Sequence, residues 1–396
     1  MLIRNVSLLH GKKLAYVDST SVRICGEYIT EIGEKLRPQN KEQTIDASGL
    51  LMMPGLINSH THIGDSIAKD VGINSDVETK IHPVSGFKQK ILKSSDISHL
   101  ASFMKSSCFS MIKKGITTFV DFREGGIEGT RALRSATSGV PIRSVILGRI
   151  EYYQDAKSIQ RNTPFPETKK PLMDDLLKTA DGIGISGPNE FSNSALKEFS
   201  KTKKLRAIHS SETEESVRIS QKSFNKTETQ RALLSKPDFL VHMTYASKKD
   251  LQLAAKSDTS IVVCPRANGS LAEGIPDVDL MLQSGCNIGI GTDNVMINSP
   301  DMFREMDYLW KVSMGLKKKR IPPVEILKMA TVNASNYLGG KIGIIEKNKI
   351  ADCIFIEKHS IDLEPMHNPH AAIVQRASES TIRAVMFAGE IAHGKL

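Results

Sequence analysis

The sequence predicts an α/β chain built on a (β/α)8 barrel, with a small β-sandwich domain drawn from both of its ends. Three observations predict it. Short apolar strands alternate with helix-length segments from Leu56 to Ile290, eight strands in all. Short-period patterns flank that stretch on both sides. Histidines and one aspartate recur where the strands end. Alternation of strand and helix gives a parallel sheet with crossover helices, and eight repeats suggest closure into a barrel. An open doubly wound sheet is the alternative, but no G-x-G-x-x-G opens a first βα turn.

Length and composition allow this. A chain of 396 residues, 40% apolar and 24% charged, can bury a large core. The expected division is 1–53 and 339–396 for the two parts of the small domain and 54–338 for the barrel. A net charge of +9 is moderate. Lys and Arg are scattered and aromatics are few, so no stacking platform for nucleic acid is evident. The one dense run, Lys317-Lys318-Lys319-Arg320, reads as a solvated helix end. The five cysteines (Cys25, Cys108, Cys264, Cys286, Cys353) are far apart and form no C-x-x-C. That pattern suits a reducing compartment. With no signal segment at Met1 and no run of about 18 apolar residues, a soluble cytoplasmic protein is expected.

From Leu2 to Leu51 the period is short. Val22 and Ile24, then Tyr28 and Ile32, flank Gly26-Glu27 as a hairpin. An apolar run, Leu51 to Ile57, is interrupted by Pro54-Gly55 and leads into His60-Thr61-His62. If Leu56 to His62 is a strand, side chains alternate and His60 and His62 share a face. Asp96 to Lys114 places Ile97, Leu100, Phe103, Met104, Met111 and Ile112 on one helical face closed by Gly115. Ile116 to Val120 then reads as a buried strand, followed by a helix from Glu128 to Ser138 and a strand from Ile142 to Leu147. Further strands are expected at Gly182–Ser186, Leu205–His209, Phe239–His242, Ser260–Cys264 and Asn287–Ile290. Helices at Ser194–Thr202, Lys248–Lys256 and Val278–Gln283 separate them. Pro323 to Leu338 is expected to be helical, and strands return at Ala351–Ile356 and Ile382–Phe387. One connection is unusual: Asp65 to Ser95 spans about thirty residues, against about 2–6 for an ordinary βα loop. It leaves the carboxyl end of a barrel strand, where active sites sit, and reads as a lid or specificity loop.

The polar residues at strand ends are the candidates for chemistry: His60 and His62 after the first strand, His209 the fifth, His242 the sixth, Asp293 after the eighth. Any one has an ordinary structural reading. All would lie on one rim of a barrel, where side chains can converge on a transition metal.

Pro54-Gly55-Leu56-Ile57-Asn58-Ser59-His60-Thr61-His62 resembles the metal motif of the amidohydrolase superfamily. The likeness is closest to the branch holding cytosine deaminase, adenosylhomocysteine-type deaminases and triazine chlorohydrolases. His209-Ser210-Ser211-Glu212 resembles that branch's H-x-x-E, and Val241-His242 its sixth-strand histidine. Cys264-Pro265-Arg266-Ala267-Asn268 resembles its C-P-x-S-N, with Ala267 where serine is usual. Gly291-Thr292-Asp293-Asn294 resembles its eighth-strand aspartate, and Ala330 to Ala334 its exit from the barrel. The resemblance covers nearly the whole chain.

It implies that His60, His62, His209 and Asp293 bind one Zn²⁺ or Fe²⁺, which lowers the pKa of water to about 7. Glu212 would carry a proton to a ring nitrogen, His242 would hydrogen-bond the reacting oxygen or the substrate, and Asp293 would take the water's proton. Two-metal relatives bridge their ions with a fourth-strand lysine or glutamate; Gly182 to Ser186 holds neither, so one metal is expected. Asn189, Glu190, Asn294 and, from the long loop, His82 are the expected substrate contacts. The implied reaction is hydrolytic deamination of an amino-substituted heterocycle (purine, pyrimidine or related nucleoside). Hydrolysis of a C–Cl bond or a cyclic amide is the alternative on the same scaffold, and a catalytically dead relative the third reading. The H-x-E with P-C-x-x-C of the zinc deaminases of another fold is missing. The expected partner is a small heterocycle, with neither nucleic acid nor membrane, and a homodimer is common in the resembling family.

Overall fold

Five strands precede the long parallel sheet: β1 (Leu2–His10), β2 (Ala15–Cys25), β3 (Tyr28–Gly33), β4 (Thr44–Asp46) and β5 (Leu50–Pro54). The parallel strands are β6 (Leu56–His62), β7 (Ile116–Arg123), β8 (Arg143–Gly148), β9 (Gly182–Ile185), β10 (Leu205–Ser210), β11 (Phe239–His242), β12 (Ser260–Val263), β13 (Ile288–Ile290) and β14 (Asp293–Asn294). Three more close the chain: β15 (Cys353–Glu357), β16 (Ile382–Phe387) and β17 (Glu390–Gly394). This computed structural model describes residues 1–82 and 86–396. Positions 83–85 of the expected Asp65–Ser95 loop lie outside the described residues.

The parallel sheet runs β13-β12-β11-β10-β9-β8-β7-β6-β14. It is curled, as in a TIM-like barrel. Only Gly291-Thr292 separates β13 from β14, so the last strand pairs with β12 at its start and with β6 at its end. Gly291 is required there, because a Cβ would stand 2.7 Å from the His60 backbone nitrogen. β7, β11 and β12 are buried along their whole length on both faces, as crossover connections demand, while β8 and β10 are partly buried at their starts. Val120, Phe122, Ala207, Phe239, Val241 and Val262 form one apolar cluster on the inner face. Residues alternating with them (Phe119, Ile208, Leu240, Ile261, Val263) pack with Met104, Cys108, Leu133 and Leu251 of the surrounding helices.

Local signals set the helices that matter for the site. Asp96 caps Ile97–Lys113 by accepting from Ser98 N and His99 N, and Gly115 (φ +76°) follows it. The expected helix Pro323–Leu338 divides into an α-helix, Pro323–Met329, and a 3₁₀ turn, Val332–Asn336. The break at Thr331 brings Asn333 Nδ2 to the Ile288 carbonyl (2.9 Å) and Tyr337 Oη to Ser59 Oγ (2.7 Å), bonds that tie the segment under the barrel strands.

The flanking strands share a second sheet, in the order β17-β16-β15-β5-β1-β2-β3 with β4 paired to β1. The predicted hairpin turns at Gly26-Glu27, where Cys25 faces Tyr28 and Gly26 takes φ +56°. β15 runs antiparallel to β5, so a strand beyond residue 350 completes one that leads into the barrel. Among the described residues no helix is long and apolar enough to cross a membrane.

Candidate active site

β6 delivers His60 and His62 together. Beyond them Asp121, on β7, accepts from Thr61 Oγ1 (3.0 Å) and from Ile63 N (2.6 Å), which fixes how the chain leaves the strand. Opposite, Asn58 and Thr292 exchange two hydrogen bonds (Nδ2 to Oγ1 2.8 Å, N to Oδ1 3.0 Å) and hold the Asp293 turn against β6. Asp293 (φ +59°) and His242 (φ +74°) lie in the left-handed region, which non-glycine residues seldom occupy. Such strain, about 1–2 kcal/mol per residue, persists where packing over-determines it and concentrates at functional sites.

The candidate ligands converge. His60 Nε2 lies 3.3 Å from Asp293 Oδ1 and 3.3 Å from His209 Nε2, and His62 Nε2 lies 3.6 Å from Asp293 Oδ1. Donors about 2.0–2.1 Å from a tetrahedral ion stand roughly 3.3–3.4 Å apart, so the spacing fits one cation. The tautomers fit as well. His62 Nδ1 faces Glu124 Oε1 (2.8 Å) and His209 Nδ1 faces the Ile185 carbonyl (3.2 Å). Both partners accept, so each Nδ1 carries the proton and each Nε2 turns a lone pair inward. Burial pulls His60 down to about 3 and His209 well below the usual range, which keeps these two imidazoles neutral. Burial opposes ionisation of Asp293, but the His60 hydrogen bond and the surrounding imidazoles outweigh it and hold the carboxyl low. Imidazole nitrogens around a carboxylate, with His60, His62 and Asp293 buried and His209 partly so, are the donor set of a divalent transition metal.

Glu212 and His242 stand beside this set. Glu212 Oε2 is 3.5 Å from His242 Nε2, while Glu212 Oε1 is shielded from solvent and has no partner among the described residues. Ser211 N donates to Glu228 Oε2 (3.0 Å), which fixes the turn (Ser211 φ +53°) that carries Glu212 inward. Burial raises the Glu212 carboxyl above its ordinary pKa, so it holds a proton more readily than an exposed glutamate. His242 Nδ1 turns to Asn268 Oδ1 at 3.4 Å. His62, His209, Glu212, His242 and Asp293 line one cavity of about 620 Å³ at the carboxyl ends of the strands, with His60 fully buried behind them.

Residues 51–392 match the amidohydrolase family. The chain belongs to that family, whose members are hydrolases. A protein of Methanothermobacter thermautotrophicus, named only as an aminohydrolase, is 37% identical over 99% of this chain and 98% of its own. The 5-methylthioadenosine/S-adenosylhomocysteine deaminase of Thermoanaerobacter pseudethanolicus is 31% identical over 99% of this chain and 93% of its own. Among solved structures, the atrazine chlorohydrolase of Arthrobacter aurescens TC1 complexed with zinc shares the fold. Its TM-score is 0.84 at 17% identity, covering 98% of this chain and 94% of that one.

In this amidohydrolase the expected substrate contacts His82, Asn189, Glu190 and Asn294 all line the cavity, yet they differ in what they can do. Asn189 donates to the Ser216 carbonyl (2.9 Å) and accepts from Arg231 Nη1 (2.8 Å). Asn294 Nδ2 donates to Asp65 Oδ2 at 2.7 Å, and Met296 N donates to Asp65 Oδ1 at 3.0 Å. Both asparagines therefore serve as braces. Glu190 keeps a buried oxygen, Oε2, without a partner; burial and the adjacent Glu228 push its pKa up to about 8.

Two groups escape a reading by motif. Glu124, four residues beyond Val120, orients His62 and is itself held by Lys88 Nζ (2.5 Å) and Arg123. Burial works against its charge, but Lys88, His62 and Arg123 outweigh that and keep it ionised. Lys88 comes from the long loop, in a helix at Phe87–Ser94, so part of the expected lid is packed against a candidate ligand's brace. The second group is Arg149, directly after β8, buried on the cavity wall. The only sequence signal for either was a charged residue just past a barrel strand.

Proposed function

We propose that this chain is a metal-dependent hydrolytic deaminase of an amino-substituted heterocycle. The observation that carries the reading is the convergence of His60, His62, His209 and Asp293 at the base of a cavity that Glu212 and His242 also line. The nearly full-length relative named for deamination supports it. In this reading the three histidines and Asp293 hold one divalent cation, Zn²⁺ or Fe²⁺, since the same N,N,N,O set suits both. When bound, such a cation makes water acidic enough to serve as nucleophile near neutral pH.

The chain's own groups do the rest. Asp293 Oδ2, buried and unpartnered, is the acceptor for the proton that leaves water. Glu212 gives its proton to the ring nitrogen beside the amine-bearing carbon, so negative charge need not build up there. His242, turned by Asn268, keeps Nε2 toward the same centre, where it stabilises the oxygen arriving at that carbon. Asp293 then passes the proton it took to the amine, the C–N bond breaks and ammonia leaves. The proton lost by the hydroxyl as it becomes the ring carbonyl returns to Glu212. We read the architecture that carries this as a (β/α)8 barrel over 54–338. Residues 1–53 and 339–396 together form a small sandwich domain. Five unpaired thiols fit a cytoplasmic location.

The test is ammonia release from purines, pyrimidines, pterins and their nucleosides by zinc- and iron-loaded protein, with chloride release from chlorinated rings measured in parallel. Ammonia from at least one ring, abolished by chelation and restored by metal, is the expected result. Chloride release without ammonia would replace it with the chlorohydrolase reading.

A further inference from the structure

The wall of the cavity contributed by the ends of β8 and β9 is built from polar groups that satisfy one another poorly. Arg149 is 7% exposed, and its Nε and Nη2 have no hydrogen-bond partner among the described residues. Its nearest ion-pair contact, Nη1 to Glu124 Oε1, is a long 4.0 Å. The Tyr153 hydroxyl, the Ser186 hydroxyl and Glu190 Oε2 are likewise shut off from solvent. Ser186 lies close enough to hydrogen-bond Tyr153 and Glu190, but none of these atoms makes a well-formed bond among the described residues. The four belong together: Arg149, Ser186 and Glu190 line the cavity, and Tyr153 is joined to Ser186 and feels Arg149 and Glu190 electrostatically. Native proteins pair nearly all buried polar atoms, so two orphaned guanidinium nitrogens beside a loosely bonded Tyr153–Ser186–Glu190 cluster, on one wall of a candidate active site, mark hydrogen-bonding capacity kept for a ligand.

We infer that Arg149, Glu190, Ser186 and Tyr153 form a subsite for a lactam edge, a ring N–H beside a ring C=O, on the same heterocycle that carries the amine. The inference rests on the deaminase reading only for which ring carbon faces Glu212. Arg149 supplies N–H donors for the carbonyl, and Glu190 supplies the acceptor for the ring N–H. Protonated or not, a carboxyl keeps at least one acceptor oxygen. The hydroxyls of Ser186 and Tyr153 can serve either atom.

The mix of groups argues against a carboxylate or phosphate in this place: Glu190 keeps an acceptor oxygen in the same wall as the Arg149 donors, and an acceptor-only ligand would leave it unmet. The acceptor is held firmly. A Cβ on residue 187 would stand 3.1 Å from Glu190 Oε2, so Gly187 leaves the room in which that carboxyl lies. Arg231 donates to the Pro188 carbonyl (2.8 Å) and the Phe191 carbonyl (2.5 Å) on either side of Glu190. The substrate class is thereby narrowed to amino-oxo rings, such as 2-amino-6-oxopurines, 2-amino-4-oxopyrimidines and 2-amino-4-oxopteridines. A simple 6-aminopurine has no such edge.

The test measures binding, not turnover. Guanine and 2-aminopurine, which differ in the lactam edge, are titrated calorimetrically into the metal-loaded Glu212→Gln protein. The same is done with isocytosine and 2-aminopyrimidine. The lactam member of a pair is expected to bind roughly tenfold or more tightly, since its partner leaves buried donors and an acceptor unpaired. Arg149→Met and Glu190→Met, made on the same background and checked for an unchanged melting temperature, should each shrink that preference to about threefold or less. Equal binding within both pairs, no binding of any, or a preference that survives both substitutions would overturn the subsite. Gly187→Ala, which displaces only the Glu190 carboxyl, gives an independent check if a methionine variant fails to fold. If the lactam members bind with the expected preference but wild-type enzyme releases no ammonia from any ring of the panel, the subsite stands and the deaminase reading fails.

Discussion

The two ends of the cavity are built on opposite principles. At the β6 end, the ring nitrogens of His62 and His209 that do not face the centre have acceptors of their own. Those acceptors are Glu124, itself gripped by Lys88 and Arg123, and the Ile185 carbonyl. At the β8–β9 end, Arg149, Ser186 and Glu190 line the cavity with Tyr153 behind them, and their buried atoms are poorly satisfied among the described residues, Arg149 Nε and Nη2 above all. The first is a rigid nest whose lone pairs converge on a small cation. The second is a set of donors and acceptors left open for a planar polar ring. Bracing belongs where an ion must be gripped at fixed distances, and open hydrogen-bonding capacity where a ligand must be chosen.

Four experiments separate the two ends. The largest effect is expected from His209→Ala or His60→Ala, which should lose most of the metal by elemental analysis and all measurable turnover. Full metal occupancy in either variant would contradict the nest. Glu212→Gln should keep its metal and lose about 10²–10⁴-fold in turnover, a result that places Glu212 in proton transfer and outside the ligand set. Arg231→Met should act on the opposite end. It leaves the carbonyls of Pro188 and Phe191 and the Oδ1 atoms of Asn189 and Asn193 without their buried donor. A loss on the order of 3 kcal/mol in denaturant unfolding is expected, with metal content unchanged. Glu124→Ala has the mildest expected effect. It frees His62 Nδ1 and should weaken metal affinity roughly 10–100-fold, read by competition with a chelator, while the lactam preference stays intact.

Much of the scaffold was legible before any coordinates. Lys248–Lys256 and Val278–Gln283 occur where the apolar spacing placed them, each beginning at a capping residue, Ser247 and Asp277. The barrel strands fall within one or two residues at their starts, because near-continuous apolar runs between turn residues have few other solutions. β7 runs three residues past its expected end, to Arg123, and those added residues reach the rim where Asp121 and Glu124 work. Polar residues at a strand end look like loop in a sequence, and only pairing with β8 shows that they extend the strand. Asn189 and Asn294 illustrate the reverse. Their position at the rim was legible, but whether an amide is spent on a neighbour or left for a ligand depends on Arg231 and Asp65, 42 and 229 residues away.

By itself, then, the sequence determined the period of its elements, the face shared by His60 and His62, and the kinds of atom available at each strand end. Those follow from local backbone geometry, which repeats every two or 3.6 residues whatever the rest of the chain does. Tertiary structure alone decided which polar atoms are satisfied and which are not. Satisfaction is a property of pairs brought together from distant strands: Glu124 finds His62 and Lys88, and Arg149, with none of its own, is left for whatever enters the cavity.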